Sequence, residues 1–312
     1  MRAIEISGLT KEYRVGFLHT GRKRALSALN LEVEQGEVFG LLGPNGAGKT
    51  TTLKILFRLI FPTRGTARIL GRGLDDVKMH QQVGYLPENP YFYDHLSAEE
   101  LLRYSGRLFG LGGGELNRRV DDLLQKVGLA ASRKVALRRV SKGMVQRAGI
   151  AQALINNPDV VFLDEPMSGL DPVGRREVRD LILQLRAEGK TVFFSTHILS
   201  DAEQLCDRVA ILNKGELRGI GAVEELTSAV QGKVEVVWQG TQVPASMKAL
   251  GAECHVTGET VRGVIPEAQQ DAAIDALRRE RLRLIAITPL RTSLETYFVE
   301  KLQHSQTAGT SK

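Results

Sequence analysis

Two stretches of this chain carry side chains suited to handling phosphate. Gly43-Pro44-Asn45-Gly46-Ala47-Gly48-Lys49-Thr50 fits a pattern of glycine, four free positions, then Gly-Lys-Thr. Glycines let successive backbone N–H groups face one centre, and a helix start adds partial positive charge, so phosphate oxygens are held there. Lys49 would reach the outer phosphates, Thr50 would place a hydroxyl on Mg²⁺, and Thr51 would line the same loop. Further on, Asp164 and Glu165 end the apolar run Val160-Val161-Phe162-Leu163, placing two carboxylates where a strand stops. Acids there are costly unless something needs them. Asp164 suits holding Mg²⁺ through its water shell, and Glu165 suits orienting the water that attacks a terminal phosphate.

The flanking elements give these residues their places. Val38 to Leu42 reads as a buried strand, and Thr51 to Ile60 as a helix turning Leu53, Leu56, Phe57 and Ile60 inward and ended by Pro62. Val160 to Leu163 and Thr191 to Phe194 are apolar strands. Between them a helix carries Val178, Leu181, Ile182 and Leu185 at helical spacing, with Gly189 placed to end it. Buried strands alternating with amphipathic helices argue for an α/β fold with a mostly parallel central sheet, whose ligands collect at the carboxyl ends of strands.

Ile4 and Ile6 alternate as in an edge strand, Leu29 to Val33 alternates again, and Gly16 to Arg24 between them reads as an exposed basic hairpin or loop. Thr66 to Leu70 and Val83 to Leu86 are further strand candidates. Ser97-Ala98-Glu99-Glu100 looks like a helix start, Leu116 to Val127 like a second helix, and Gly112-Gly113-Gly114 separates the two. A first domain over 1–228, with a helical subdomain at about 89–157, is expected. A small α+β domain at 229–302 follows in βαββαβ order, possible as a ferredoxin-like unit, and 303–312 reads as a disordered tail.

The 42 basic against 36 acidic residues give a net charge of +6, which suits an anionic nucleotide or a membrane surface without requiring nucleic acid. The two cysteines, Cys206 and Cys254, have no metal-ligand spacing and suggest a reducing compartment. Glu5 interrupts any leader-like apolar stretch, and no apolar run approaches the roughly 18 residues of a spanning helix. Work at a membrane would need another chain to do the spanning.

Taken together, these motifs resemble, in order, the ATP-binding subunit of an ABC (ATP-binding cassette) transporter, over Ile4 to about Leu226. The resemblance implies an ABC cassette of the P-loop NTPase class, with an antiparallel β subdomain and a helical subdomain, using ATP and Mg²⁺. It implies that Tyr13 stacks on adenine and that His197, just beyond Thr191-Val192-Phe193-Phe194-Ser195-Thr196, contacts the γ-phosphate. Ser168-Gly169-Leu170-Asp171 occupies the place of the D-loop, where Asp171 before Pro172 is also a natural helix cap. Ser141-Lys142-Gly143-Met144 stands where the family has Ser-Gly-Gly-Gln. Ser141 and Gly143 still offer a hydroxyl and an N–H to a phosphate, while Lys142 adds charge and Met144 loses an amide.

Glu88, in Tyr85-Leu86-Pro87-Glu88, replaces the family's glutamine; it still offers Mg²⁺ an oxygen but adds negative charge beside a triphosphate. Tyr91-Phe92-Tyr93 lies where the family meets its membrane partner, and core packing explains those aromatics equally well.

The Pro-Glu-Asn and Ser-Lys-Gly-Met variants, with Thr292-Ser293-Leu294-Glu295-Thr296-Tyr297-Phe298, resemble the bacterial type-2 exporter branch. The assembly implied is a homodimer of cassettes with separate membrane-spanning permease chains, at the cytoplasmic face of the plasma membrane and without nucleic acid. A soluble ABC ATPase acting on ribosomes or DNA fits less well, because the chain holds one cassette and no sustained heptads between Thr50 and Asp164. A regulatory subunit with low turnover is a second alternative, favoured by Glu88 and the altered signature. If Glu88 slows turnover or changes metal dependence, Glu88→Gln will alter the ATPase rate and shift its Mg²⁺ titration; unchanged curves rule that effect out.

Overall fold

The computed structural model describes residues 1–15, 21–227, 229–291, 293–295 and 297–298. They form two compact units, one over Met1–Val223 and one beginning at Glu224, five residues ahead of the expected 229.

The first unit opens with an antiparallel sheet. β1 (Arg2–Val15) pairs with β2 (Gly21–Glu34) on one side and, further along the chain, with β4 on the other. β1 is therefore interior, with Ile4 opposite both Val33 and Ile69, and not the expected edge. Alternation reports which face is buried, not which edges are paired. Of the stretch expected as a hairpin or loop, residues 21–24 take the hairpin form, continuing β2 opposite β1, while 16–20 lie outside the described residues. β3 (Val38–Leu42) is wholly buried and leads through the glycine loop into α1 (Lys49–Leu56). α1 stops short of the expected Ile60 because Arg58 turns into the left-handed region at φ 53. Phe57 still packs inward, its ring 4.6 Å from Tyr85 and 5.5 Å from Phe162. β4 (Arg64–Ile69) and β5 (Arg72–Gly73) complete the order β2-β1-β4-β5.

After β6 (Val83–Leu86) come α2 (Ala98–Leu108), α3 (Gly113–Lys126) and α4 (Lys142–Ala153). Ser97 and Glu100 form a reciprocal cap on α2: Ser97 N–H and hydroxyl each donate to Glu100 Oε2 at 2.8 Å, and Glu100 N–H donates back to Ser97 Oγ. α3 takes in Gly113 and Gly114, so only Gly112 stands before it as expected.

β7 (Val160–Asp164), α5 (Pro172–Ala187), β8 (Thr191–Thr196), α6 (Leu199–Leu205), β9 (Arg208–Asn213) and β10 (Glu216–Ala222) finish the unit. The six-stranded sheet runs β10-β9-β3-β8-β7-β6, parallel throughout except for β10. Its centre is aromatic, with Phe39 on Phe193 at 5.5 Å and Phe162 on Phe193 at 5.6 Å. The carboxyl ends of β3, β7 and β8 are adjacent, so the loop after β3, the acids ending β7 and the residue after β8 share one rim.

Following α7 (Val223–Leu226), the second unit runs β11 (Ala229–Gln239), α8 (Ala245–Ala249), β12 (Glu253–Thr257), β13 (Thr260–Pro266), α9 (Gln270–Arg279) and β14 (Leu284–Arg291). Its sheet order β12-β13-β11-β14 is antiparallel at every pairing, with Trp238 fully buried beside Val236, Met247 and Leu277. Of the expected last helix, Leu294, Glu295, Tyr297 and Phe298 are helical; the tail at 303–312 lies outside the described residues. Among the described residues no helix is long and apolar enough to cross a membrane.

Ser97→Ala removes the two hydroxyl bonds of the α2 cap, keeping only the Ser97 N–H bond to Glu100, and will lower unfolding stability by about 1 kcal/mol in a urea titration, while leaving nucleotide affinity unchanged.

Candidate functional site

The glycine loop bends where a side chain could not follow. Gly48, at φ 112, caps α1 and lies against β2, so a Cβ there would stand 2.7 Å from the Ala25 carbonyl oxygen. This seats the loop under β2 and aims the first turn of α1 into a cleft of about 650 Å³. The cleft is lined by Tyr13, Asn45, Gly46, Ala47, Gly48, Lys49, Thr50, Thr51, Glu88 and Glu165, together with Arg14, Lys23, Arg24 and Ala25 of the first hairpin. Lys49 is only 5% exposed. Its ammonium donates to the carbonyl oxygens of Gly43 at 2.6 Å and Pro44 at 3.4 Å and pairs with Glu165 Oε1 at 3.1 Å. A buried ammonium needs such partners, and phosphate oxygens can take their place.

Asp164, at the end of β7, is 1% exposed. One oxygen, Oδ1, accepts from Ser195 Oγ at 2.5 Å and from Thr50 Oγ1 at 3.3 Å. The other, Oδ2, is buried with no hydrogen-bond partner. Burial pushes this carboxyl above its ordinary range against the pull of the Ser195 and Thr50 bonds, and the charges of Glu88 and Glu165 push the same way. An orphaned carboxylate oxygen beside a threonine hydroxyl is an oxygen donor set that fits a hard divalent cation such as Mg²⁺. Glu88, exposed on the rim, offers a further oxygen.

Glu165 is 6% exposed and adopts φ 48, an unusual backbone for a residue with a side chain. Two bonds from its N–H, to Ser195 O and Ser195 Oγ at 3.1 Å each, hold that conformation. Its carboxylate bridges two side chains: Oε1 meets the Lys49 ammonium at 3.1 Å, and Oε2 lies 2.8 Å from His197 Nδ1. An ionised carboxylate only accepts, so Nδ1 carries the proton of that bond and Nε2 is left for a ligand. This triad can polarise a water and neutralise the charge that develops on a transferred phosphoryl group.

Ser141, Gly143 and Asp171 do not join this cleft. They line a second one of about 390 Å³ with Lys142, Gly169 and Gly174. Ser141 caps α4, accepting from Met144 N–H at 3.3 Å, and Asp171 caps α5, accepting from Gly174 N–H at 2.8 Å. Tyr91 and Tyr93 are exposed, so core packing does not account for them. Sequence reasoning passed over Ser195, whose signal was a small hydroxyl ending an apolar strand. The sequence pattern carries no signal that Arg14, Lys23 and Arg24 of the first hairpin line the large cleft.

The raised carboxyl of Asp164 has a consequence for stability. The folded, nucleotide-free chain holds that proton more tightly than the unfolded chain, so stability from this group falls as pH rises from the ordinary carboxylate range through the folded value. Asp164→Asn will therefore raise the melting temperature of the nucleotide-free protein at neutral pH and flatten the decline across that window. It will also abolish the stabilisation by Mg²⁺-nucleotide, about 2.7 kcal/mol at a hundredfold excess over Kd for the parent chain, measured by calorimetry with and without Mg²⁺.

Residues 26–168 match the family model described as ABC transporter. A relative described as an uncharacterized ABC transporter ATP-binding protein of Synechocystis is 48% identical over 302 residues, covering 96% of this chain and 84% of its own. The bacitracin transport ATP-binding protein BcrA of Enterococcus faecalis is 34% identical over 303 residues, covering 95% and 94%. Among solved structures, a dimeric ATP-binding cassette in a post-hydrolysis state with ADP and Pi bound is similar at TM-score 0.64 and 27% identity, over 70% of this chain and 98% of that one. With a glycine loop, a strand-end acid pair and a histidine on one rim of an ABC cassette fold, and relatives of this closeness over its whole length, the chain belongs to the ATP-binding, ATP-hydrolysing subunits of ABC transporters.

Proposed function

We propose that this subunit powers export through a separate membrane-spanning permease, acting as a homodimer at the cytoplasmic face of the membrane. The observation that carries the reading is the split site: Tyr13, the loop residues Asn45 to Thr51 and Glu165 line one cleft, with Asp164 bonded to Thr50 at its edge, while Ser141, Gly143 and Asp171 open into another. A second copy would bring its Ser141 cleft against the first copy's phosphates and enclose each ATP between two chains. The solved cassette with ADP and Pi is itself dimeric, which supports this arrangement, and the bacitracin relative supports export.

Tyr13 stacks on adenine, and the backbone N–H groups from Gly43 to Thr51 with Lys49 hold the phosphates. Thr50 and Asp164 hold Mg²⁺, with Glu88 nearby, and the metal neutralises phosphate charge when bound. Glu165 orients the attacking water, and His197 Nε2 faces the γ-phosphate. Closure of the dimer pushes the permease, and hydrolysis releases it. The exposed Tyr91 and Tyr93 suit contact with that permease.

Glu165→Gln keeps the side chain's shape but removes the base, so it will bind ATP with near-parent affinity and lose turnover by about a hundredfold or more. Normal hydrolysis by this variant would remove Glu165 from the role. Mild-detergent purification of the tagged protein from its native cells, followed by mass spectrometry, will recover a polytopic membrane protein. Recovery of ribosomal or DNA-repair proteins instead would favour the soluble alternative.

A further inference from the structure

The end of the first hairpin is more basic than an exposed turn requires. In the β1–β2 ladder, Glu12 stands opposite Arg24, Tyr13 opposite Lys23 and Arg14 opposite Arg22. Directly opposed like charges such as Arg14 and Arg22 destabilise a ladder. One carboxylate serves this cluster: Glu12 pairs with Arg24 at 3.3 Å and with Arg22 at 3.6 Å. Lys11 is occupied as well, donating to the Phe61 carbonyl oxygen at 2.6 Å with its ammonium 5.1 Å from the Tyr13 ring centre. That leaves Arg14 and Lys23, neither of which has an ion-pair partner among the described residues, and both line the large cleft.

The position of Lys23 along that cleft is set by its neighbours. As the cross-strand partner of Tyr13 it shares that residue's face of the ladder. Two residues further along β2, the Ala25 carbonyl lies over Gly48 of the phosphate loop. Lys23 thus stands between the aromatic end of the cleft and the loop. The far end is defined by Lys49 and Glu165, with Asp164 bonded to Thr50 beside them, the groups that the proposed function assigns to the outer phosphates and their metal. A nucleotide laid from Tyr13 to Lys49 puts its ribose and α-phosphate beneath Lys23.

We propose that Lys23, assisted by Arg14, clamps the α-phosphate of the bound nucleotide from the β1–β2 hairpin. The inference rests on nucleotide filling this cleft and adds a contact that the phosphate loop and stacking tyrosine do not supply. Such a clamp acts on the phosphate common to AMP, ADP and ATP. It raises affinity for all three without discriminating on the γ-phosphate, and it is blind to adenosine.

The test is competition against a fluorescent ATP analogue by adenosine, AMP, ADP and ATP, using the full chain and the variants Lys23→Ala, Lys23→Arg, Arg14→Ala and Arg22→Ala. Lys23→Ala will weaken AMP, ADP and ATP by a similar factor of about three to ten, as expected for a charged contact in a partly open cleft, and leave adenosine unchanged. Arg14→Ala will weaken the same three ligands by a smaller factor, Lys23→Arg will retain affinity, and Arg22→Ala, outside the cleft, will match the parent chain. The Lys23→Ala chain will also show a shallower loss of ATP affinity with added salt. Unchanged affinities for Lys23→Ala overturn the clamp, as does an equal loss for adenosine, which would mean packing on the base. If none of the four ligands displaces the analogue from the parent chain, the nucleotide reading of the cleft falls, and the clamp with it. Matching melting curves for the variants show that any loss belongs to binding and not to folding.

Discussion

The ion pair between Lys49 and Glu165 joins the two halves of the site. Both side chains are nearly inaccessible, so separating them would leave a bare charge in the interior, whereas together they satisfy one another at 3.1 Å. The pair can form only because β3 and β7 are each hydrogen-bonded to β8, which puts the loop after β3 and the acids ending β7 on one edge. His197 after β8 completes the row by meeting the second oxygen of Glu165. Phe39 stacks on Phe193 and Phe162 packs against it at a tilt, so the three strands share one aromatic core. In the proposed function, phosphate entering the loop would compete for Lys49 and free the Glu165 carboxylate.

Asp164 extends the same logic with the opposite sign. Its carboxyl is buried beside two other acids and bonded through one oxygen only, an arrangement that costs stability until a cation arrives. Ser195 mediates between the acids, donating to Asp164 and accepting from the Glu165 N–H. One small hydroxyl therefore sets both the buried Asp164 carboxylate and the unusual backbone of Glu165. Residues held in sparsely populated conformations cluster where function needs them, and Glu165 is such a residue with its supports visible.

The altered signature and the glutamate in place of glutamine change charge more than shape. Ser141 still caps α4, and Gly143 still lines its cleft, so Lys142 adds an ammonium to a surface whose backbone geometry survives. Glu88 sits exposed on the rim of the other cleft, where water screens much of its repulsion toward the phosphates. The second unit has its own core around Trp238.

Much of the chemistry was legible from residue types and spacing, because a phosphate loop works through backbone N–H groups that local glycine geometry alone can present. The strand before it, the acids ending an apolar run and the caps at Ser97 and Asp171 are likewise local, and each appears where the pattern placed it. Alternation in β1 could not reveal that both its edges are paired, and helical spacing could not reveal that α1 ends at Leu56, since Phe57 packs inward from outside the helix. Nor could sequence show that Lys23 faces Tyr13 across a ladder or that Ser195 bridges two acids some thirty positions away. The amino-acid order by itself determined which groups were available and which short segments would present them. Only the tertiary structure decided which of them meet, because strand order and cross-strand register bring together residues far apart in the chain.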